Sequence, residues 1–238
     1  RRMGRRTRPT AAAETKATGP GDVRRGRRGV FLITVVVEAT IAVMLTLRFR
    51  AEYDDTWATA TWHGVFHAVS SFNNAGFALF SDNLMGFLTD AFVLLPITVA
   101  IIIGGLGFPV LVELIRTSRT RRTRTWSLHT RLTLLMTGAL LVGGTVFITA
   151  TEWGNEGTLG PLGPAHKLLG GWFHAVQPRT AGFNAWDYGA VTDETLLGTI
   201  LLMFVGGGSA GTAGGLKVTT FIVLFFVILA EVRGDRDV

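Results

Sequence analysis

"FHAVQPRTAGFNAW", residues 173–186, nearly repeats "FHAVSSFNNAGFAL" at 66–79, with "FHAV" offset by 107 positions and "AGF" by 106. Each copy sits between long apolar blocks. Val30 to Leu47 is eighteen residues with one charge, Glu38; Ala91 to Val112 is twenty-two with none; Leu132 to Ala150 is nineteen with none; Leu196 to Ala230 is thirty-five with only Lys217. A helix needs roughly 20 apolar residues to cross ~30 Å of hydrocarbon, so the first three blocks fit one crossing each. A cleaved secretory signal would be a single short apolar core, whereas here the first block is followed by more. The chain therefore reads as an all-α polytopic membrane protein. It holds no cysteine, which removes disulfides and thiolate metal sites.

The charges orient it. Residues 1–28 carry ten Lys or Arg against Glu14 and Asp22, and residues 116–131 carry six Arg and no acid. The joints at 51–60 and 151–166 hold only acids: Glu52, Asp54, Asp55, Glu152 and Glu156. The positive-inside bias predicts a cytoplasmic amino end and a cytoplasmic 117–131 loop, with Arg48 and Arg50 as a weaker contrary signal. The arginines serve topology and contact with the lipid bilayer; no nucleic-acid module adjoins them.

A unit now repeats: crossing, acidic outer joint, short helix, glycine motif, second crossing. The units span 29–116 and 132–232, joined by the basic loop 117–131 and preceded by the basic segment 1–28. The short stretches, Thr61 to Asn73 and Ala165 to Gln177, are too short to cross and read as re-entrant pore helices, giving two helix, pore-loop, helix (M1-P-M2) repeats. Irregular backbone at that depth survives only inside protein or against water, so Asn74, Ala75, Gly76 and Phe77, and Thr180, Ala181, Gly182 and Phe183, are expected to line a cavity. Rings of backbone carbonyls replace a cation's hydration shell, and with no Asp or Glu ring at this depth a monovalent cation filter is expected.

The last apolar block would extend ~52 Å as one helix, so it is expected to break. The break is predicted in 206–215, six glycines in ten residues, each costing about 1 kcal/mol against alanine in a helix interior. Gly206 to Gly211 also satisfies G-x-G-x-x-G, but a dinucleotide site needs a strand before it, and a membrane segment stands there. Close helix packing through these glycines is the alternative. Lys217, a lone intramembrane cation, is expected to face the cytoplasmic side of the pore or to snorkel to the inner interface. Glu38 is expected to face the bundle through a structural hydrogen bond. Arg179 is expected to brace the pore loop through carbonyls or an acid such as Asp187, or to repel cations at the mouth. His63 and His67 have zinc-face spacing, but "HGVFH" lacks the glutamate of metalloprotease helices; His67 and His174 read as equivalent structural positions.

The repeated module, "FNNAGF", "PRTAGF" and "LLMFVGGGSAGTAGGLKVTTF" resemble the Trk/Ktr/HKT superfamily of potassium transporters over about residues 29–232. The resemblance implies four such repeats around one pore, each giving a quarter of a filter, with the second and third present here. It also implies a gate under the filter made by Gly206, Gly207, Gly208, Ser209, Gly211, Gly214, Gly215 and Lys217. K+ is the implied transported ion, with no cofactor bound by this chain. The implied setting is the plasma membrane, as a homodimer of the full-length protein, with a cytosolic nucleotide-binding regulatory subunit. The absent first and fourth repeats and the start at Arg1 predict a piece of a longer reading frame. Two alternatives stay open: a non-conducting membrane scaffold, and a polytopic membrane metalloenzyme using the histidines.

Overall fold

Four of the described helices begin where the sequence offers a capping oxygen. The backbone N–H groups of Thr59, Phe92, Thr130 and Thr195 donate to the side chains of Thr56, Asp90, Ser127 and Thr192 at 3.2, 2.9, 3.2 and 3.3 Å, satisfying donors that a first turn leaves unpaired. The computed structural model describes residues 20–53, 56–118 and 126–233. Among these are α1 (Pro20–Glu52), α2 (Trp57–Phe72), a 3-10 turn (Met85–Phe87), α3 (Ala91–Leu106), α4 (Phe108–Ser118), α5 (Leu128–Glu152), α6 (Pro164–Val176), α7 (Asp193–Phe204) and α8 (Val218–Arg233). Residues 1–19 of the basic segment and 119–125 of the arginine loop, like Asp54 and Asp55, lie outside the described residues.

Two differences from the sequence reading stand out. The first helix opens at Pro20 rather than near Val30, because proline suits the first helical turn and nothing in the basic run that follows forbids helix. The 91–112 block is not one straight crossing. It breaks at Gly107, whose φ of 92° only glycine adopts readily, and α4 leaves α3 at 102°. The 196–230 block is likewise two helices, separated by residues 205–217. Arg28–Glu52 and Leu128–Glu152 are long and apolar enough to cross a membrane, with a third span if α3 and α4 count as one.

The two halves pack alike. In each, the short helix lies against the long one before it, α2 on α1 and α6 on α5, at a glycine in matched position. A methyl group on Gly64 would lie 2.8 Å from the Ala42 carbonyl oxygen, and one on Gly171 would lie 1.9 Å from Thr149 Oγ1. Small residues at helix contacts let backbones approach where lipid removes any hydrophobic drive to associate. Gly64→Ala is therefore expected to lower stability by about 1–3 kcal/mol, the usual cost of overpacking, seen as a lower thermal midpoint in detergent. An unchanged midpoint would refute this contact.

Each long helix is also tied at its far end to the start of a later one. Arg48 Nε and Tyr53 Oη both donate to Asp90 Oδ2, at 2.8 and 2.7 Å, joining α1 to the cap of α3. Burial and the Asp90 carboxylate raise the Tyr53 hydroxyl above its ordinary pKa. This ion pair accounts for Arg48, whose charge ran against the topological bias. In the second half Glu152, fully buried, accepts from Asn155 Nδ2 at 2.7 Å and from the Thr192 N–H and hydroxyl at 2.9 and 2.8 Å, joining α5 to the cap of α7. The core gathers Leu45, Phe49, Phe72, Leu94, Ile97, Phe173 and Phe183 between the halves. Large apolar side chains such as Phe31, Leu135, Leu201 and Ile228 stand exposed on the outer faces, as on a surface met by lipid or further helices.

Candidate functional site

The loops that follow α2 and α6 share a pattern of positive φ. Asn74 and Gly76 have φ of 51° and 70°, and the matching Thr180 and Gly182 have 72° and 87°. Each loop closes on a residue of the preceding helix or its cap: the Ala75 N–H donates to the Ser70 carbonyl at 2.9 Å, and the Ala181 N–H to the Gln177 carbonyl at 3.0 Å. The first turn holds one residue more than the second, which is where the sequence offset falls from 107 to 106. Ser70 and Gln177 also reach the motif phenylalanines. Ser70 Oγ donates to the Phe77 carbonyl at 2.8 Å, and the Phe183 N–H donates to Gln177 Oε1 at 3.2 Å.

The loops touch at their glycines: a methyl on Gly76 would lie 2.2 Å from the Ala181 carbonyl oxygen and 2.8 Å from Gly182 Cα. Among the described residues, no hydrogen bond reaches the carbonyls of Asn74, Ala75, Gly76 or of Thr180 to Phe183. The aromatics differ: Phe183 is buried, 6.5 Å from the His67 ring, while Phe77 is 70% exposed.

The glycine-rich segment 205–217 packs against both loops and against the α3–α4 break. Thr212 Oγ1 accepts from Asn74 Nδ2 at 2.6 Å and donates to the Phe72 carbonyl at 2.9 Å. The Gly214 N–H donates to Thr180 Oγ1 at 2.9 Å. Toward the break, the Gly208 and Thr212 N–H groups donate to the Gly105 and Gly104 carbonyls at 2.7 and 3.0 Å, and the Phe108 N–H donates to the Ala210 carbonyl at 3.2 Å. Ser209 Oγ lies 3.3 Å from Thr219 Oγ1. The residues expected at the gate, Gly206, Gly207, Gly208, Ser209, Gly211, Gly214, Gly215 and Lys217, thus lie on one segment in contact with both motif loops.

Charged groups near the site take partners that sequence alone did not decide. Arg179 is buried and donates through Nη2 to the Gly206 carbonyl at 3.2 Å and Thr137 Oγ1 at 3.3 Å. It binds the glycine-rich segment rather than Asp187. Lys217 Nζ donates to the Ala213 carbonyl at 2.6 Å, within its own loop. Glu38 accepts from Asn73 Nδ2 at 2.8 Å, the structural bond expected of it. His67 and His174 lie fully buried in matched positions. Among the described residues, no group of three His, Cys, Asp or Glu is placed to hold a metal ion. Thr212 and the Gly104 to Gly107 turn escaped the sequence reading; the one threonine amid the glycines, and "GGLGFP" at 104–109, were the available signals.

The sequence model of the family described as TrkH, cation transport protein, matches residues 22–238. This chain belongs to that family. It is 43% identical over 210 residues to Ktr system potassium uptake protein B of Bacillus subtilis, covering 87% of this chain and 46% of that protein. It is 37% identical over 217 residues to the protein of the same name from Vibrio alginolyticus, covering 91% of this chain and 47% of that one. Potassium/sodium uptake protein NtpJ of Enterococcus hirae is 37% identical over 205 residues, with 86% and 44% covered. The fold is similar to the crystal structure of the potassium transporter TrkH from Vibrio parahaemolyticus, with a TM-score of 0.72 at 16% identity, over 93% of this chain and 44% of that one. The chain spans about half the length of the curated relatives it matches. Membership of a cation transport family sets aside the membrane metalloenzyme.

Proposed function

We propose that this chain forms part of a potassium uptake pathway, in which the loops 74–77 and 180–183 line the ion's path and the segment 206–215 gates it. The observation that carries this reading is the set of backbone carbonyls on two touching loops that take no hydrogen bond from the described residues. Backbone oxygens are normally paired, and carbonyls held free of donors are what a dehydrating cation requires. Electrostatics agree in sign: both loops follow helix C-termini, whose unpaired carbonyls carry roughly half a negative charge. The relatives' names supply the ion, potassium in two and potassium or sodium in the third.

Membrane placement follows from lengths. The helices α2 and α6, of 16 and 13 residues, reach only ~24 and ~20 Å and act as re-entrant pore helices within the M1-P-M2 repeats 29–116 and 132–232. The basic segments 1–28 and 117–131 then face the cytoplasm of a cell-membrane protein. Phe183 of one loop packs toward His67 of the other half, while Phe77 has no such ring neighbour among the described residues and is left for another repeat of the same ring. The complete protein acts as a homodimer together with a nucleotide-binding regulatory subunit.

The test uses the complete gene product. It is expected to restore growth at low potassium to a strain lacking potassium uptake, and to lose its preference for potassium over sodium after Gly182→Ser. Equal sodium and potassium flux in the unmutated protein would refute the selectivity, and absence of flux the transport itself.

A further inference from the structure

We propose that His67 and His174 are matched positioning residues, each clamping the chain that leaves its motif loop through a neutral imidazole; this rests on reading 74–77 and 180–183 as the ion path. The clamp has two parts, and both occur twice in the same register. The Leu79 N–H donates to His67 Nε2 at 3.4 Å, and the Ala185 N–H to His174 Nε2 at 3.2 Å. Both donors stand two residues beyond the motif phenylalanine. The next side chain then stacks on the same imidazole: Phe80 on His67 with centroids 5.1 Å apart at 14°, and Trp186 on His174 at 3.5 Å and 7°.

The opposite ring nitrogen fixes the tautomer. His67 Nδ1 lies 2.7 Å from the His63 carbonyl, and His174 Nδ1 lies 3.2 Å from Tyr188 Oη. A carbonyl can only accept, so His67 carries its proton on Nδ1 and keeps the Nε2 lone pair for the incoming amide. The bond from Ala185 requires the same of His174, whose Nδ1–H then donates to a phenol that burial keeps protonated, its pKa pushed up to about 12. Both rings are fully buried, and a ring retained for bulk alone would not need its acceptor aimed at equivalent amides in both halves. Each helix thereby grips its loop on both sides: Ser70 or Gln177 holds the motif phenylalanine, and the histidine holds the chain two residues on. Since a filter selects by where its carbonyls sit, loss of the grip is expected in ion preference before total transport.

Phenylalanine at 67 or 174 keeps a flat ring for stacking without an acceptor, whereas glutamine can place Oε1 where Nε2 now stands. In proteoliposomes containing the complete gene product, His67→Phe and His174→Phe are expected to lower the potassium-to-sodium uptake ratio several-fold. His67→Gln and His174→Gln are expected to keep it close to that of the unmutated protein. Unchanged ratios in the phenylalanine variants, or glutamine variants falling as far, would overturn the clamp. Hydrogen exchange of the unmutated protein gives a reading that needs neither variant nor flux: the Leu79 and Ala185 amides are expected to exchange as slowly as pore-helix amides, and fast exchange at both defeats the proposal. No potassium flux alongside slow exchange would sink the ion-path reading and leave the clamp as a loop anchor.

Discussion

Gly76→Ala is expected to abolish potassium uptake by the complete protein while leaving it in the membrane, and Gly182→Ala is expected to retain uptake with weakened selectivity. The two glycines are equivalent in sequence and both have positive φ, 70° and 87°, so an alanine at either meets roughly the same 1–2 kcal/mol of backbone strain. Space separates them. At Gly76 the new methyl would meet Ala181 O at 2.2 Å and the carbon and Cα of Gly182 at 2.8 Å, all backbone atoms with no rotamer to retreat into; at Gly182 the nearest atom is Gly76 Cα at 3.5 Å, an ordinary contact. Alanine at 76 must therefore push one motif loop off the other and separate the carbonyls of both. Uptake per milligram of reconstituted protein decides it. A Gly182→Ala variant more damaged than Gly76→Ala would show that the loops do not meet in the working protein as they do here.

The sequence made the duplicated unit readable because it shows in offsets: "FHAV" and "AGF" recur at 107 and 106, and the structure turns that one-residue discrepancy into a longer turn between Ser70 and Ala75 than between Gln177 and Ala181. The 205–217 break was readable too, since six glycines in ten are a local property. The break at Gly107 was not. Its glycines sit inside an unbroken apolar run, and what uses the bend is distant in sequence: the Gly208 and Thr212 amides bond to Gly105 and Gly104 across about a hundred residues. The same holds for Arg179, whose choice of the Gly206 carbonyl over Asp187 depends on where the last loop docks. Matched histidines could be seen, but the amides they accept from belong to the returning chain, whose distance from the helix no spacing rule fixes. Topological bias likewise counted Arg48 as an anomaly, where its role is a bond to Asp90.

Gly208→Ala is expected to raise potassium flux several-fold above the unmutated protein under conditions where the pathway is held shut. The added methyl would lie 2.0 Å from the Leu106 carbonyl oxygen and 2.8 Å from its carbon, so the 206–215 segment could no longer dock on the α3–α4 break, and the 2.7 Å bond from the Gly208 amide to Gly105 would be lost. The base of the loop would stay closed. Gly206 and Val218 donate to the Leu216 and Gly207 carbonyls at 2.9 and 3.1 Å, and Leu216 donates to Phe204 at 3.3 Å, which staples the end of α7 to the start of α8. The tip alone is released, along with Thr212, which ties it to Phe72 and Asn74. Thr212→Val should act in the same direction by removing that tie without touching the break, and both variants should keep thermal midpoints near that of the unmutated protein. A loop whose work was only to hold α7 and α8 together would give the opposite sign, with flux and midpoint falling in step; that outcome in rubidium uptake and thermal unfolding would remove the gate from the segment.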